Sequence, residues 1–409
     1  MTMTSNDPLT IAFELLAGVP DAIIDPYPRY HALREGAPVL HFDGPFGPMY
    51  VLTRYEDCKH ALQNPKLGKA EDRLIRQAVS PELADLFADR VPPMLMLNPP
   101  DHTRLRGLVS RAFTPRRVEE MRPRIEALVD GLLDGVDGEV ELLDVFGFPL
   151  PVAVIGELVG VPADRWTEFR TLVRDGAASL ELNADEAIIR KSAAALGDMT
   201  EIFRGLLRER EAEPHDDLLT ALLEVEHEGD ALTEDELIAN VILLFAAGFE
   251  TTTNLIGNGL VALLEHPEQM QRLRDDPSLI PTAIDELLRW DSPVQVDGRM
   301  VLEPTSLPDG TELQPGEQVI TILGAANRDP ERFADAETFD VGRTDNAPLS
   351  FAWGIHHCLG AALARAEGQV AFGDLLERYS QIELLDDPPR WRRSLTLRGL
   401  DGLSVRLTT

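Results

Sequence analysis

Two groups of residues have types and spacings that could do chemistry. The first is Phe351-Ala352-Trp353-Gly354-Ile355-His356-His357-Cys358-Leu359-Gly360. A turn-like stretch delivers one cysteine to the start of a helix rich in small residues: Gly360, Ala361, Ala362 and Ala364. Amides and the dipole at a helix N-terminus favour a thiolate over a thiol. Small residues beside the sulfur let a flat, bulky group approach the backbone. Plainer readings stand beside this one. A lone cysteine is usually a small buried hydrophobe. His356-His357-Cys358 could hold zinc, although consecutive residues rarely all reach one tetrahedral metal. A nucleophilic cysteine needs a base brought near it in space.

The second group is Ala247-Gly248-Phe249-Glu250-Thr251, followed by Thr252 and Thr253. It interrupts a helical pattern that runs from Thr233 to about Leu264. Gly248 costs about 1 kcal/mol against alanine in a helix interior. A carboxylate and hydroxyls placed after an apolar run need partners or they destabilise. Such a defect in an otherwise consistent element marks a candidate site. Its plain counterpart is a core helix whose threonines bond back to preceding carbonyls.

The elements that must hold these groups are mostly helices. Apolar residues at three- and four-residue spacing predict helices over Pro81–Arg90, Val118–Leu133, Ala187–Glu211, Thr233–Leu264, Pro281–Trp290 and Gly360–Tyr379. Thr233-Glu234-Asp235-Glu236 reads as a capping box at the head of the longest. At ~1.5 Å per residue that helix is a rod of roughly 48 Å. Strand-like pieces are few: Pro48–Leu52, Gln318–Leu323 and the tail Leu395–Leu407. The pattern predicts a mainly α protein with small β-sheets. No linker or repeat divides the 409 residues, so one domain is expected over 1–409, with 1–20 as a partly flexible extension.

Composition excludes some partners. Lys and Arg number 38 against 70 Asp and Glu, a formal charge of −32. Such a surface repels nucleic acid and anionic membranes. Two cysteines, a polar N-terminus and no stretch of ~18 apolar residues point to a cytoplasmic protein outside the membrane.

The joint pattern resembles the cytochrome P-450 family. Phe351, Gly354, His356, Cys358 and Gly360 match its haem-binding signature, Phe-x-x-Gly-x-His-x-Cys-x-Gly. Ala247, Gly248, Glu250 and Thr251 match Ala-Gly-x-(Asp/Glu)-Thr, and Glu286 with Arg289 matches Glu-x-x-Arg. Arg343 fits the third member of that ion-pair network. His102 and Arg106 match the His-x-x-x-Arg of bacterial members, and Arg299 fits a further propionate-binding position. Ala352 departs from the pattern, since many relatives carry glycine there. Alanine is tolerated unless a positive φ is required.

The resemblance implies a triangular prism of about a dozen helices around a buried haem b. Cys358 would be its axial thiolate, framed by Phe351 and Gly360. His102, Arg106, Arg299 and His356 would meet the propionates through charge-assisted hydrogen bonds. On the opposite face Ala247 and Gly248 would leave room for O2, with Glu250 and Thr251 supplying protons. The implied activity is insertion of one atom of O2 into a hydrophobic small molecule, by hydroxylation or epoxidation. Oxidative coupling, peroxygenation and haem sensing are the alternatives. Electrons would come from a separate ferredoxin with its reductase. Arg104, Arg111, Arg116, Arg117 and Arg365 would form a basic patch for it. Substrate contacts would come from Glu71–Met96, Leu172–Leu182, Leu243–Ala247, Val294–Asp297 and Leu395–Thr396. Among these, Leu95, Leu172, Leu180, Leu244, Val294 and Val296 are apolar.

Overall fold

The computed structural model describes residues 7–44, 47–70, 81–86, 90–181, 184–227 and 229–409. The helices that build the frame are α1 (Pro8–Leu16), α2 (Tyr27–Gly36), α3 (Asp101–Ala112), α4 (Pro115–Leu133), α5 (Pro149–Val159), α6 (Trp166–Ala177), α7 (Glu186–Ala212), α8 (Glu234–Glu265), α9 (Ile280–Trp290) and α10 (Ala361–Arg378). The main strands are β1 (Val39–Gly44), β2 (Gly47–Leu52), β3 (Leu67–Gly68), β4 (Gly138–Glu141), β5 (Val296–Val301), β6 (Gln318–Ile322), β7 (Gln381–Leu384) and β8 (Ser404–Thr408). One sheet runs β1-β2-β6-β5-β3 and a second runs β7-β8-β4.

Helix α8 is the axis of the large core. Thr233 Oγ1 accepts from Glu236 N at 3.3 Å, and the Glu236 carboxylate accepts from Thr233 N at 2.9 Å. This capping box satisfies two orphan amides and fixes where the helix starts. Phe245, Phe249, Ile256 and Leu260 along it are all 0% exposed. It packs on α5, α7, α9 and α10. The expectation that no stretch is long and apolar enough to span a membrane is corrected here. Helix α8 qualifies by length and composition, with 61% of its apolar window buried inside the protein. Counting consecutive apolar residues stops at Glu250, whereas one carboxylate does not end the apolar stretch.

The predicted helices appear with small changes in their ends. The piece at Pro81 runs to Asp85, and residues 87–89 lie outside the described set. Leu323 opens a short helix, Leu323–Ala326, instead of closing β6. The tail is not one strand but Leu400–Gly402 and β8, with Leu397 bridged to Val294. In the segment expected as a loose extension, α1 buries Ile11, Ala12 and Leu15 against the β1-β2-β6 side of the first sheet.

One polar network ties α9 to the loop before Cys358. The Glu286 carboxylate accepts from Arg289 Nε at 2.7 Å and Nη2 at 2.8 Å, from Arg343 Nε at 3.2 Å, from Asp340 N at 2.9 Å and from Asn346 Nδ2 at 3.1 Å. Arg289 spends its remaining donors on the carbonyls of Asn327, Ala336 and Thr338. Both side chains of the central pair are 0% exposed.

Candidate active site

The cysteine loop is two 3-10 turns, Leu349–Phe351 and Gly354–His356, closed by Cys358 N donating to Phe351 O at 2.9 Å. Gly354 has φ 74°. A Cβ there would also run into the Leu62 carbonyl. Ala352 has φ 55° and ψ −163°, a region that glycine enters freely and alanine does not. The condition under which alanine is costly is therefore met. The Phe351 ring is covered by Arg365, whose Cζ lies 4.6 Å from the ring centroid. Cys358 is exposed, whereas Cys58 is buried in a separate core cluster. Surrounding protein pushes the Cys358 thiol up, while the Gly360 N–H and then Arg106 and Arg365 pull it down. Gly360 is the N-cap of α10, as the sequence predicts for a cysteine just before a helix.

Four predicted residues converge beside this loop. His102 sits in the first turn of α3 and is 2% exposed, and His356 is 8% exposed. Their rings lie 4.3 Å apart. Arg106, one turn along α3, donates Nη2 to His357 O at 2.6 Å and so fastens α3 to the loop. Arg299 on β5 donates Nη1 to Asp297 at 2.5 Å and to Gly298 O at 3.0 Å. Yet His102 Nδ1 and Nε2, His356 Nε2 and Arg299 Nη2 have no hydrogen-bond partner among the described residues. Each neutral imidazole carries one N–H, and such an N–H, like that of Arg299, is costly when buried unless a further acceptor belongs there. A dicarboxylate cofactor such as haem supplies one, so the residues present fit it.

Sequence reasoning missed two members of this cluster. Lys69 donates Nζ to Asp297 at 2.8 Å and to Gly298 O at 3.3 Å. Burial pushes Asp297 up, but Lys69 and Arg299 together hold it at about 2. Burial, then the charges of Lys69 and Arg299, pull His356 down to about 3. Asp297 was detectable, because residues two apart on a strand share a face. Nothing local marks Lys69.

The opposite wall is α8. Ala247 is exposed, although Phe245 and Phe249 on either side are 0% exposed. A Cβ on Gly248 would come to 3.2 Å from Ile155 Cδ1, which explains the glycine by the close approach of α5. Thr251 Oγ1 donates to Ala247 O at 2.8 Å and Thr253 Oγ1 to Phe249 O at 3.1 Å. The back-bonding threonines are thus present, inside an unbroken helix. Glu250 is 3% exposed and does not stand open to solvent. It pairs with Arg392, which also bonds Asn254. Arg392 lies 142 positions along the chain, and no local pattern announces it.

Other expectations fare unevenly. Leu95, Leu172, Leu244 and Val294 are partly buried, while Val296 and Leu395 sit in the core under α1. Residues 71–80, 87–89 and 182, with the side chain of Leu180, lie outside the described set. The expected basic patch is largely neutralised. Arg104 pairs with Asp230 and Glu236, Arg116 with Glu120, Arg117 with Asp216 and Arg365 with Asp285.

The family model described as cytochrome P-450 matches residues 186–397. Cytochrome P-450 107B1 of Saccharopolyspora erythraea is 46% identical over 394 residues, covering 93% of this chain and 95% of that protein. Vitamin D(3) 25-hydroxylase of Pseudonocardia autotrophica is 41% identical over 389 residues, covering 94% of each. A myxobacterial cytochrome P-450, CYP267B1, solved in complex with myristic acid, superposes with a TM-score of 0.88 at 37% identity, covering 97% of this chain and 99% of that one. Members of this family hold protoporphyrin IX haem on a cysteine thiolate, activate O2 and draw electrons from a redox partner. With an exposed cysteine two positions from His356 in a cluster of unpartnered buried nitrogens, and with likeness running nearly end to end, this chain belongs to the cytochrome P-450 family of haem monooxygenases.

Proposed function

We propose that this protein hydroxylates or epoxidises a hydrophobic small molecule of sterol, terpenoid, polyketide or fatty-acyl type, in the cytoplasm, with electrons from a ferredoxin and its reductase. The observation that carries the assignment of roles is the set of unpartnered buried donors on His102, His356 and Arg299 beside an exposed Cys358. Cys358 is the thiolate ligand, and Arg106, Arg299, His102 and His356, joined by Lys69, hold the propionates. Bound haem on a thiolate supplies the O–O cleavage and the oxidising power. The chain's own residues supply place and protons.

Ala247 keeps the α8 wall low, leaving space for a small ligand and a substrate carbon, while Gly248 lets α5 pack close beside it. Thr251 Oγ1 is held by Ala247 O and is oriented for proton transfer from that wall. Glu250 is the proton source behind it, with Arg392 holding one carboxylate oxygen. The substrate class is supported by the apolar walls at Leu172, Leu244 and Val294 and by the vitamin D and myristate ligands of the two relatives. Unpaired cysteines support the compartment. Ile355, 47% exposed at the tip of the cysteine loop, offers an electron carrier an apolar contact where the arginines are already paired.

The test is spectroscopic. Reduced protein under carbon monoxide should show the strongly red-shifted Soret band of thiolate-ligated haem, and Cys358→Ser should abolish it. A panel of sterols, macrolides and fatty acids should include ligands that shift the ferric spin state. Protein that takes up no haem, or a red-shifted band that survives Cys358→Ser, rejects the assignment.

A further inference from the structure

Residues 392–396 join two parts of the molecule that no motif connects. At one end, Ser394 Oγ and the amides of Leu395 and Thr396 donate to the Glu181 carboxylate, the amides at 3.1 and 3.2 Å. Glu181 follows the 3-10 turn Ala178–Leu180 that extends α6, and α7 begins five positions later at Glu186. At the other end, Arg392 bonds both Glu250 and Asn254 on α8. The slot is built to fit. Gly399 O accepts from Arg392 N at 2.9 Å, and a Cβ on Gly399 would overlap Asn254 Oδ1 and Arg392 Nη2. The slot is also incompletely satisfied. Glu250 Oε2, Arg392 Nε and Asn254 Nδ2 have no partner among the described residues. Among those same residues, the Glu286 network has no such gap at its carboxylate or at either arginine. A buried pair that keeps open atoms is suited to changing partners.

We propose that the 392–396 loop is a strap that couples the end of α6, held through Glu181, to the placement of Glu250 by Arg392. Arg392 is a positioning residue in this scheme. With the strap fastened, Arg392 fixes one Glu250 oxygen and leaves the buried Oε2 to take a proton relayed by water and pass it to Thr251 Oγ1, which gives up its own hydroxyl proton into the cavity in the same exchange. Glu250 then returns as carboxylate to Arg392, with no net change in the chain. With the strap released, Glu250 loses its cation and its position on α8. Proton supply to Thr251 then falls. The inference rests on the proton role proposed above for Glu250.

The test uses the haem-loaded enzyme with its redox partner and an oxidised substrate from the panel. Glu181→Ala should lower product formed per reducing equivalent by up to about a hundredfold, the lower end of what a positioned proton donor contributes, with the difference appearing as peroxide. It should also speed amide hydrogen exchange over 394–396 in the resting protein. Glu181→Gln keeps an acceptor oxygen and should restore most of the ratio. Arg392→Gln should show the same loss with a larger solvent isotope effect, and the double variant should be no worse than Arg392→Gln alone. Losses that multiply independently overturn the strap, as does faster exchange with an unchanged product ratio. If Arg392→Gln does not fold, the Glu181 pair still decides. Wild-type protein that binds haem but oxidises nothing defeats the functional reading instead. Exchange over 394–396 then decides the strap by itself: rates equal in wild type and Glu181→Ala overturn it.

Discussion

Two buried polar clusters flank the cysteine loop, and they are finished differently. Around Glu286, every donor of Arg289 and both carboxylate oxygens are matched. Around His356, the two histidines and Arg299 keep nitrogens with no acceptor among the described residues. Both clusters are about equally hidden from water, so burial does not separate them. Completeness does. A closed network repays its desolvation within the chain and serves the fold. An open one carries a cost that a bound dicarboxylate removes, and so serves the cofactor.

This contrast can be broken by substitution. Glu286→Ala strands the buried Arg289 and the partly buried Arg343 and should cost about 3–5 kcal/mol, seen as little or no folded holoprotein. Normal yields and an unchanged denaturation midpoint would show that the closed cluster is dispensable. His102→Phe removes open nitrogens without changing shape much. Its apoprotein should melt no lower than wild type, while haem affinity falls about tenfold, or ~1.4 kcal/mol, in a titration. A large loss of apoprotein stability would place His102 with the closed cluster instead.

Smaller effects sharpen the picture. Ala352→Gly should relieve the positive φ and stabilise by about 1 kcal/mol, measured by urea unfolding. Glu367 on α10 is 2% exposed with Oε2 unpartnered, and burial pushes its carboxyl well up. Its neutral form contributes stability that is complete below the ordinary carboxylate range and is lost as pH rises. Glu367→Gln should therefore gain in melting temperature over wild type as pH goes from 5 to 8. A gap that narrows with pH would contradict this.

The helical frame was legible because its signals are local: spacing of apolar residues, the Thr233–Glu236 capping box, and the cysteine before a run of small residues. The cofactor cluster was legible residue by residue only through family likeness. Composition alone left Cys358 open between thiol, zinc ligand and nucleophile. Lys69 and Arg392 were not legible, since each acts through a partner more than a hundred positions away. The basic patch failed for the opposite reason. Arginines can be counted in a sequence, but apart from the one-turn pair Arg116–Glu120 the carboxylates that neutralise Arg104, Arg117 and Arg365 are assigned only by folding.

The separation of Glu250 from Arg392 also bears on how the chain is made. Synthesis delivers α8 with its carboxylate and Asn254 long before the residue that compensates them. Until Arg392 emerges, the central helix carries a charge that an apolar core will not accept. Final burial of the axis thus waits on the tail, and a chain stopped short of Trp391 should stay open to proteases along α8 even with its helices formed.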